Sequence, residues 1–228
     1  SIFVNPTQFD NKRDLKKYPR TLEADIALLS QIKGPIYIFV PEASELYNGQ
    51  VVSKNYYFGN LENEMEGKHR KGHFDGVGTV VNLLFRAVMP DRAYFGEKDF
   101  QQLQIIRKLV AIEKLSVEIV GCPIVREKNG LAMSSRNKRL NANQLEIASI
   151  ISKTLFEVRQ NFNTLSIAKL NKLVSERFLK NDLLELEYFE IAYEKTLKTV
   201  KRKQINNTYR AFIAVYAGEV RLIDNMAL

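Results

Sequence analysis

The first half of the chain alternates short apolar runs with helical periodicities. Residues 1–4 and 36–40 are apolar runs that predict strands, the second closed by Pro41. Residues 22–32 read as helix. Over residues 74–88, Val77, Val80, Val81, Leu84, Phe85 and Val88 recur at the three- and four-residue steps of one helical face. Residues 93–95 predict a short strand. Phe100, Leu103, Ile106, Leu109 and Val110 predict a second amphipathic helix, and residues 117–120 a further strand. These strands are runs rather than alternations, so they are expected to be buried on both faces of a parallel sheet. Such a sheet is joined by right-handed β-α-β crossovers and binds ligands beyond the carboxyl ends of its strands.

The second half has a different pattern. Asn141 with Gln144 three residues on makes a capping box, and Leu145, Ala148, Ile151, Leu155 and Val158 line the helix it opens. Ile167, Leu170, Val174 and Phe178 predict another helix. Residues 184–193 and 209–216 read as strands, with a hairpin near Gly218 leading into a strand over 220–223. The expected architecture is an α/β parallel-sheet domain over residues 1–123 and a smaller α+β domain over residues 124–228.

Composition narrows the class. The charged and apolar fractions are those of an ordinary globular protein, and no apolar run is long enough to span a bilayer. One cysteine, Cys122, excludes an internal disulfide, and with only two histidines a structural zinc site is not expected. Both point to the cytoplasm. The net charge of +8 permits nucleic-acid binding, but the Lys and Arg residues are scattered among acids, which suits an anionic small substrate at least as well. The chain opens directly on an apolar run without an initiator Met, so earlier sequence is expected upstream of Ser1.

Two polar clusters carry the candidate chemistry. Gly96-Glu97-Lys98-Asp99 lies between a strand and a helix, where exposed backbone N–H groups and the helix dipole hold anions and Lys98 adds a charge. Met133-Ser134-Ser135-Arg136-Asn137 offers two hydroxyls and a guanidinium, a donor set suited to polyphosphate. A plain helix cap accounts for serines there too, but the run is denser than a cap needs and no acid nearby in sequence pairs with Arg136. Three further groups lean structural by themselves. Asn5-Pro6-Thr7-Gln8 reads as a turn after a strand, His73 as the anchor of a helix start, and Arg70 as a solvated side chain. Gln101 and Gln102 by themselves read as surface glutamines of a helix; one is expected to point to solvent, and the other is placed where it can face the cleft.

Taken together these segments closely resemble the pantothenate synthetase (pantoate–β-alanine ligase) family. The resemblance rests on Asn5 to Phe9, Asp14-x-x-x-Tyr18-Pro19-Arg20-Thr21, Gly72-His73-Phe74-Asp75-Gly76-Val77, Pro90-Asp91-x-Ala93-Tyr94-Phe95-Gly96-Glu97-Lys98-Asp99-x-Gln101-Gln102-Leu103, Val120-Gly121-Cys122-Pro123-x-Val125-Arg126-Glu127 and Met133 to Asn137, in that order. It implies a nucleotidyltransferase-type, Rossmann-like catalytic domain, N-terminally incomplete, over residues 1–123 and a C-terminal lid domain over 124–228. It also implies a cytoplasmic homodimer that takes pantoate, β-alanine and MgATP, with no nucleic-acid or membrane partner. Pantoate would attack the α-phosphorus of ATP, and β-alanine would then displace AMP from pantoyl adenylate. By position, the catalytic set would be Lys98, Ser134, Ser135 and Arg136. Gly96 and Asp99 would hold the ribose, flanked by Glu97, and Lys98 the phosphates. Val125 and Met133 would meet adenine through backbone groups, and Gln8 and Gln102 would bind pantoate, with Asn5 supporting Gln8. No metal-binding side chain is implied. The family's Met-Gly-x-Leu-His-x-Gly-His type motif is absent from these residues, so the chain as it stands is expected to be impaired as a ligase. Two other readings stay open at this level: another nucleotidyltransferase acting on RNA, and a non-catalytic binding module.

Overall fold

The computed structural model describes residues 1–9 and 12–228. The N-terminal part contains α1 (Lys12–Lys17), α2 (Leu22–Leu29), α3 (Ala43–Leu46), α4 (Glu66–His69), α5 (His73–Val88), β1 (Arg92–Gly96), α6 (Phe100–Glu113) and β2 (Glu118–Cys122). β1 and β2 are parallel, with Arg92 opposite Glu118 and Gly96 opposite Cys122, so β1-α6-β2 is a β-α-β unit. Most of the apolar positions read from the sequence make its core, but Val88 at the end of α5 is 52% exposed. Val77, Val80 and Phe85 of α5 meet Ile105, Ile106 and Leu109 of α6, and Ala93, Phe95 and Ile119 pack onto them from the sheet.

The sheet is smaller than the sequence pattern predicts. Residues 1–4 and 36–40 form no strand; one backbone bond, Ile2 N–H to Phe39 C=O at 2.9 Å, links them. Their apolar side chains stay partly exposed, Tyr37 most of all. Nor are the two formed strands buried on both faces. β1 alternates, with Ala93 and Phe95 on the helices and Tyr94 64% exposed on the other side. Among the described residues the helical layer covers one face only, and an apolar run is ambiguous about which.

The C-terminal part follows its predicted order: α7 (Ala142–Ile147), α8 (Ser149–Asn161), α9 (Ile167–Leu179), β3 (Glu185–Tyr193), β4 (Tyr209–Ala217) and β5 (Val220–Ala227). The capping box at Asn141 and Gln144 forms. The single apolar face from Leu145 to Val158 is carried by two helices, because the chain bends at Ala148. β3, β4 and β5 make an antiparallel sheet, and Gly218 supplies the positive φ of 60° that the β4–β5 hairpin requires. Ile151, Leu155, Leu170 and Val174 close over Ile191, Ile213 and Val215.

A third apolar cluster joins the two parts. Met65, Phe100 and Leu103 pack against Ala192, Leu197 and Phe212. Phe100 is the first residue of α6, so this contact brings the carboxyl end of β1 against the antiparallel sheet.

Candidate active site

Where the parts meet lies a cleft of about 350 Å³. Lys98 and Asp99 reach it from the β1–α6 turn, Ser134, Arg136 and Asn137 from the segment after β2, and Arg221 from β5. Seven lysine and arginine side chains line it against five carboxylates, an excess that suits a polyanion. The two polar clusters, far apart along the chain, therefore face one space. A neighbouring hollow of about 30 Å³ shares Lys98 and Asp99 with it and adds His73 and Gln102.

The Lys98 turn is rigidly built. Glu97–Asp99 is one 3-10 turn running directly into α6. Asn225 of β5 donates from Nδ2 to the carbonyls of Glu97 (2.9 Å) and Lys98 (2.7 Å). Lys98 Nζ is 3.7 Å from the Asp99 carboxylate. Glu97 turns away from the cleft toward Arg210, 3.8 Å off. The space that a Cβ on Gly96 would occupy is open, so a ligand can approach the backbone there.

The second cluster is held by charge. Arg136 donates to Asp14 at 2.5 Å and Arg139 to the other oxygen of the same carboxylate at 2.8 Å. Arg136 thus has an acid partner, contrary to expectation, because α1 folds back across 122 residues of sequence to supply it. Burial opposes ionisation of Asp14, but the bonds and charges of Arg136 and Arg139 outweigh it and hold its carboxyl below its ordinary range. Ser134 caps the turn Ser135–Arg139 by accepting from Arg136 N–H at 3.2 Å, while Ser135 is exposed. Val125 and Met133 face each other at the mouth of a small hairpin. Met133 N–H donates to Val125 C=O at 2.9 Å. Arg126 anchors this hairpin to Asp224 of β5 through bonds of 2.7 and 3.1 Å.

Around the hollow, groups that read as structural in the sequence lock one another. Gly76 lies so close to residues 7 and 8 that a Cβ would sit 2.5 Å from Thr7 C=O. Asn5 is buried, donating to Gly76 C=O at 3.1 Å and to Gln8 Oε1 at 3.4 Å. His73 bridges Arg70 Nη1 (3.1 Å) and Gln8 C=O (2.9 Å). Arginine only donates, so His73 Nε2 accepts and Nδ1 carries the proton. Burial first, then the Arg70 charge, depress its pKa to about 4, so it is neutral near pH 7 and is not a poised base. Arg70 is not solvated: it also donates to Gln8 C=O at 3.3 Å and lies 3.6 Å from Glu66. Gln101 is buried, its amide bonded to Glu66 N–H, Leu61 C=O and Glu64 C=O; both glutamines border the hollow, and the half-buried Gln102 is the one whose amide is not engaged in those bonds.

Glu66 was not legible as a functional residue. It accepts from both Arg221 nitrogens at 2.7 and 2.8 Å and from Tyr188 at 2.8 Å. Burial opposes its charge, yet these partners and Arg70 lower its pKa to about 2. The residue before it, Met65, is fully buried at φ 37° and ψ −107°, a costly conformation that the surrounding contacts must enforce. Asp224 and Asn225 were missed too, although two adjacent polar residues inside the apolar run Leu222 to Met226 were a usable signal.

The family model for pantoate-beta-alanine ligase matches residues 1–227. The chain belongs to the pantoate–β-alanine ligase family. It is 54% identical over 228 residues to the pantothenate synthetase of Flavobacterium psychrophilum, covering all of this chain and 81% of that one. The Bacteroides thetaiotaomicron pantothenate synthetase is 50% identical over 226 residues, 99% of this chain and 79% of that one. Among solved structures, pantothenate synthetase from Thermus thermophilus superposes with a TM-score of 0.90 at 38% identity, covering 99% of this chain and 81% of that one. Pantoate-beta-alanine ligase from Francisella tularensis, complexed with beta-gamma ATP and beta-alanine, superposes with a TM-score of 0.78 at 35% identity, covering 99% of this chain and 77% of that one. The α/β architecture is thus that of the nucleotidyltransferase-like ligases of this family.

Proposed function

We propose that the cleft carries out the ATP-dependent joining of pantoate to β-alanine, giving pantothenate, AMP and pyrophosphate through pantoyl adenylate. The observation that carries this reading is the convergence of Lys98 with Ser134 and Arg136 on one cation-rich space. Pantoate's carboxylate attacks the α-phosphorus and pyrophosphate leaves; the β-alanine amine then attacks the activated carbonyl and AMP leaves. At phosphorus the protein's work is positioning and charge stabilisation. Lys98 meets charge on the departing pyrophosphate, and Ser134, Ser135 and Arg136 clamp it from the other side. The open backbone at Gly96 and the neighbouring Asp99 take the ribose, while Glu97 is turned toward Arg210. Backbone groups of Val125 and Met133, paired at the open end of the hairpin, meet adenine. Gln102 holds pantoate at the hollow, and Gln8, fixed by Asn5 and bonded through its carbonyl to His73, holds it from beside the hollow.

Among the described residues no cluster of three or more acidic, histidine or cysteine side chains is placed to hold a metal ion. A wall whose cationic side chains outnumber its carboxylates fits magnesium arriving as MgATP, bound mainly through phosphate and water oxygens. Magnesium there would offset phosphate charge.

The same proposal divides the chain into a catalytic domain, residues 1–123, and a lid domain, residues 124–228, supported by the separate apolar cores on either side of the cleft. It places a homodimer in the cytoplasm, where ATP is made and used. No helix of the described residues is long and apolar enough to cross a membrane. The test is AMP release by the full-length gene product with pantoate and ATP, with and without β-alanine, in the absence of RNA. AMP formation that needs RNA and ignores β-alanine would overturn the reading.

A further inference from the structure

We propose that Asn225, a residue of β5 that lies outside the phosphate-facing clusters, is a positioning residue that fixes where Lys98 meets the phosphates. The inference rests on the reading of Lys98 given above. Asn225 is 2% exposed, and both its bonds to the Lys98 turn go to consecutive backbone carbonyls, at 2.9 and 2.7 Å. Two carbonyls held by one amide fix the orientation of the peptide plane between Glu97 and Lys98, and through it the direction in which the Lys98 side chain departs. The amide cannot turn over, because Arg210 Nη1 donates to its Oδ1 at 2.7 Å. Arg210 is itself immobilised, donating to Glu194 at 2.7 and 3.0 Å and lying 3.8 Å above the Phe100 ring. The preceding residue, Asp224, anchors through Arg126 the hairpin that leads into Ser134. Adjacent residues of one strand therefore seat both phosphate-facing clusters, so the C-terminal sheet sets the distance between them.

A general packing role for Asn225 predicts damage that is independent of Lys98; a positioning role predicts damage that needs Lys98. The experiment is a double-mutant cycle on the full-length gene product with Asn225→Ala and Lys98→Ala, reading pyrophosphate release in a single turnover, pantoate affinity and thermal midpoint. Misplacing a reacting or charge-stabilising group by about 1 Å costs on the order of 10²-fold. Asn225→Ala is therefore expected to slow pyrophosphate release by about 10- to 100-fold with pantoate affinity nearly unchanged, and to add less than about 3-fold once Lys98 is already Ala. Equal losses on both backgrounds, or a matching loss of pantoate affinity, would overturn the proposal. If Asn225→Ala does not fold, Asn225→Asp keeps the size and the Arg210 contact while removing both donors, and takes its place in the cycle. A Lys98→Ala enzyme with a normal rate would refute the Lys98 reading, and this inference with it. A slow Lys98→Ala enzyme with additive Asn225 effects would refute this inference alone.

Discussion

The two polar clusters around Lys98 and Arg136 reach the same cleft but are held in different ways. The Lys98 turn is fixed by neutral hydrogen bonds from a buried amide and by direct continuity with α6. The Ser134 to Arg139 segment is fixed at its charged end by ion pairs to Asp14, which is about one-quarter exposed. A buried amide bonded to two carbonyls has no competitor for its partners. A partly exposed carboxylate bonded to two arginines can be replaced by another anion. One cluster is thus prebuilt, and the other is held by a partly exposed ion pair that another anion can replace.

The sharpest way to break this contrast is at Lys98. Lys98→Ala should slow adenylate formation by about 2.7–4 kcal/mol of lost transition-state stabilisation, with pantoate affinity nearly unchanged. Single-turnover pyrophosphate release checks it; an unaltered rate leaves the prebuilt cluster without a function.

Acid stability tests the lock around the hollow. His73 has its pKa depressed from 6.5 to about 4, so its folded form favours the neutral ring. Its contribution is complete above pH 6.5 and is lost as pH falls through about 4, because the unfolded chain binds the proton first. A shift of that size corresponds to roughly 3 kcal/mol. Glu66, lowered to about 2 from 4.5, adds a second loss below pH 4.5. Thermal midpoints between pH 7 and pH 4 should fall steeply for the native sequence. His73→Asn, less stable at pH 7, should show a flatter slope; parallel slopes would reject a neutral buried His73.

Gln102→Ala should weaken pantoate by about 0.5–1.5 kcal/mol and leave ATP affinity in place. Isothermal titration with each ligand separately decides it, and equal losses would move Gln102 out of the pantoate site.

The smallest effect belongs to the exchangeable cluster. Asp14→Asn should tighten MgATP binding by at most about 1 kcal/mol, the usual scale of a partly exposed ion pair. Residues 134–136 should gain hydrogen-exchange protection when MgATP binds, whereas the Lys98 turn should already be protected without it. Weaker ATP binding by Asp14→Asn, or equal gains in both segments, would erase the distinction between the clusters.

Local patterns settled much of this protein. The helical faces of α5 and α6, the capping box at Asn141, the hairpin at Gly218 and the two donor-rich segments depend on side-chain periodicity and turn chemistry within a few residues, and all were legible in the chain. Which apolar runs would pair was not. Strand pairing requires a neighbour, and residues 1–4 and 36–40 have apolar side chains without a ladder. The division of labour between Gln101 and Gln102 also needed the fold, since adjacent positions of a helix point about 100° apart and only the packed α4 segment says which side is filled. The partners of the candidate site needed it most. Asp14 reaches Arg136 across 122 residues and Asn225 reaches Lys98 across 127. Sequence carries the donors, because their chemistry is local; tertiary structure alone decides what holds them, because an ion pair or a buried amide bond is a matter of distance in space.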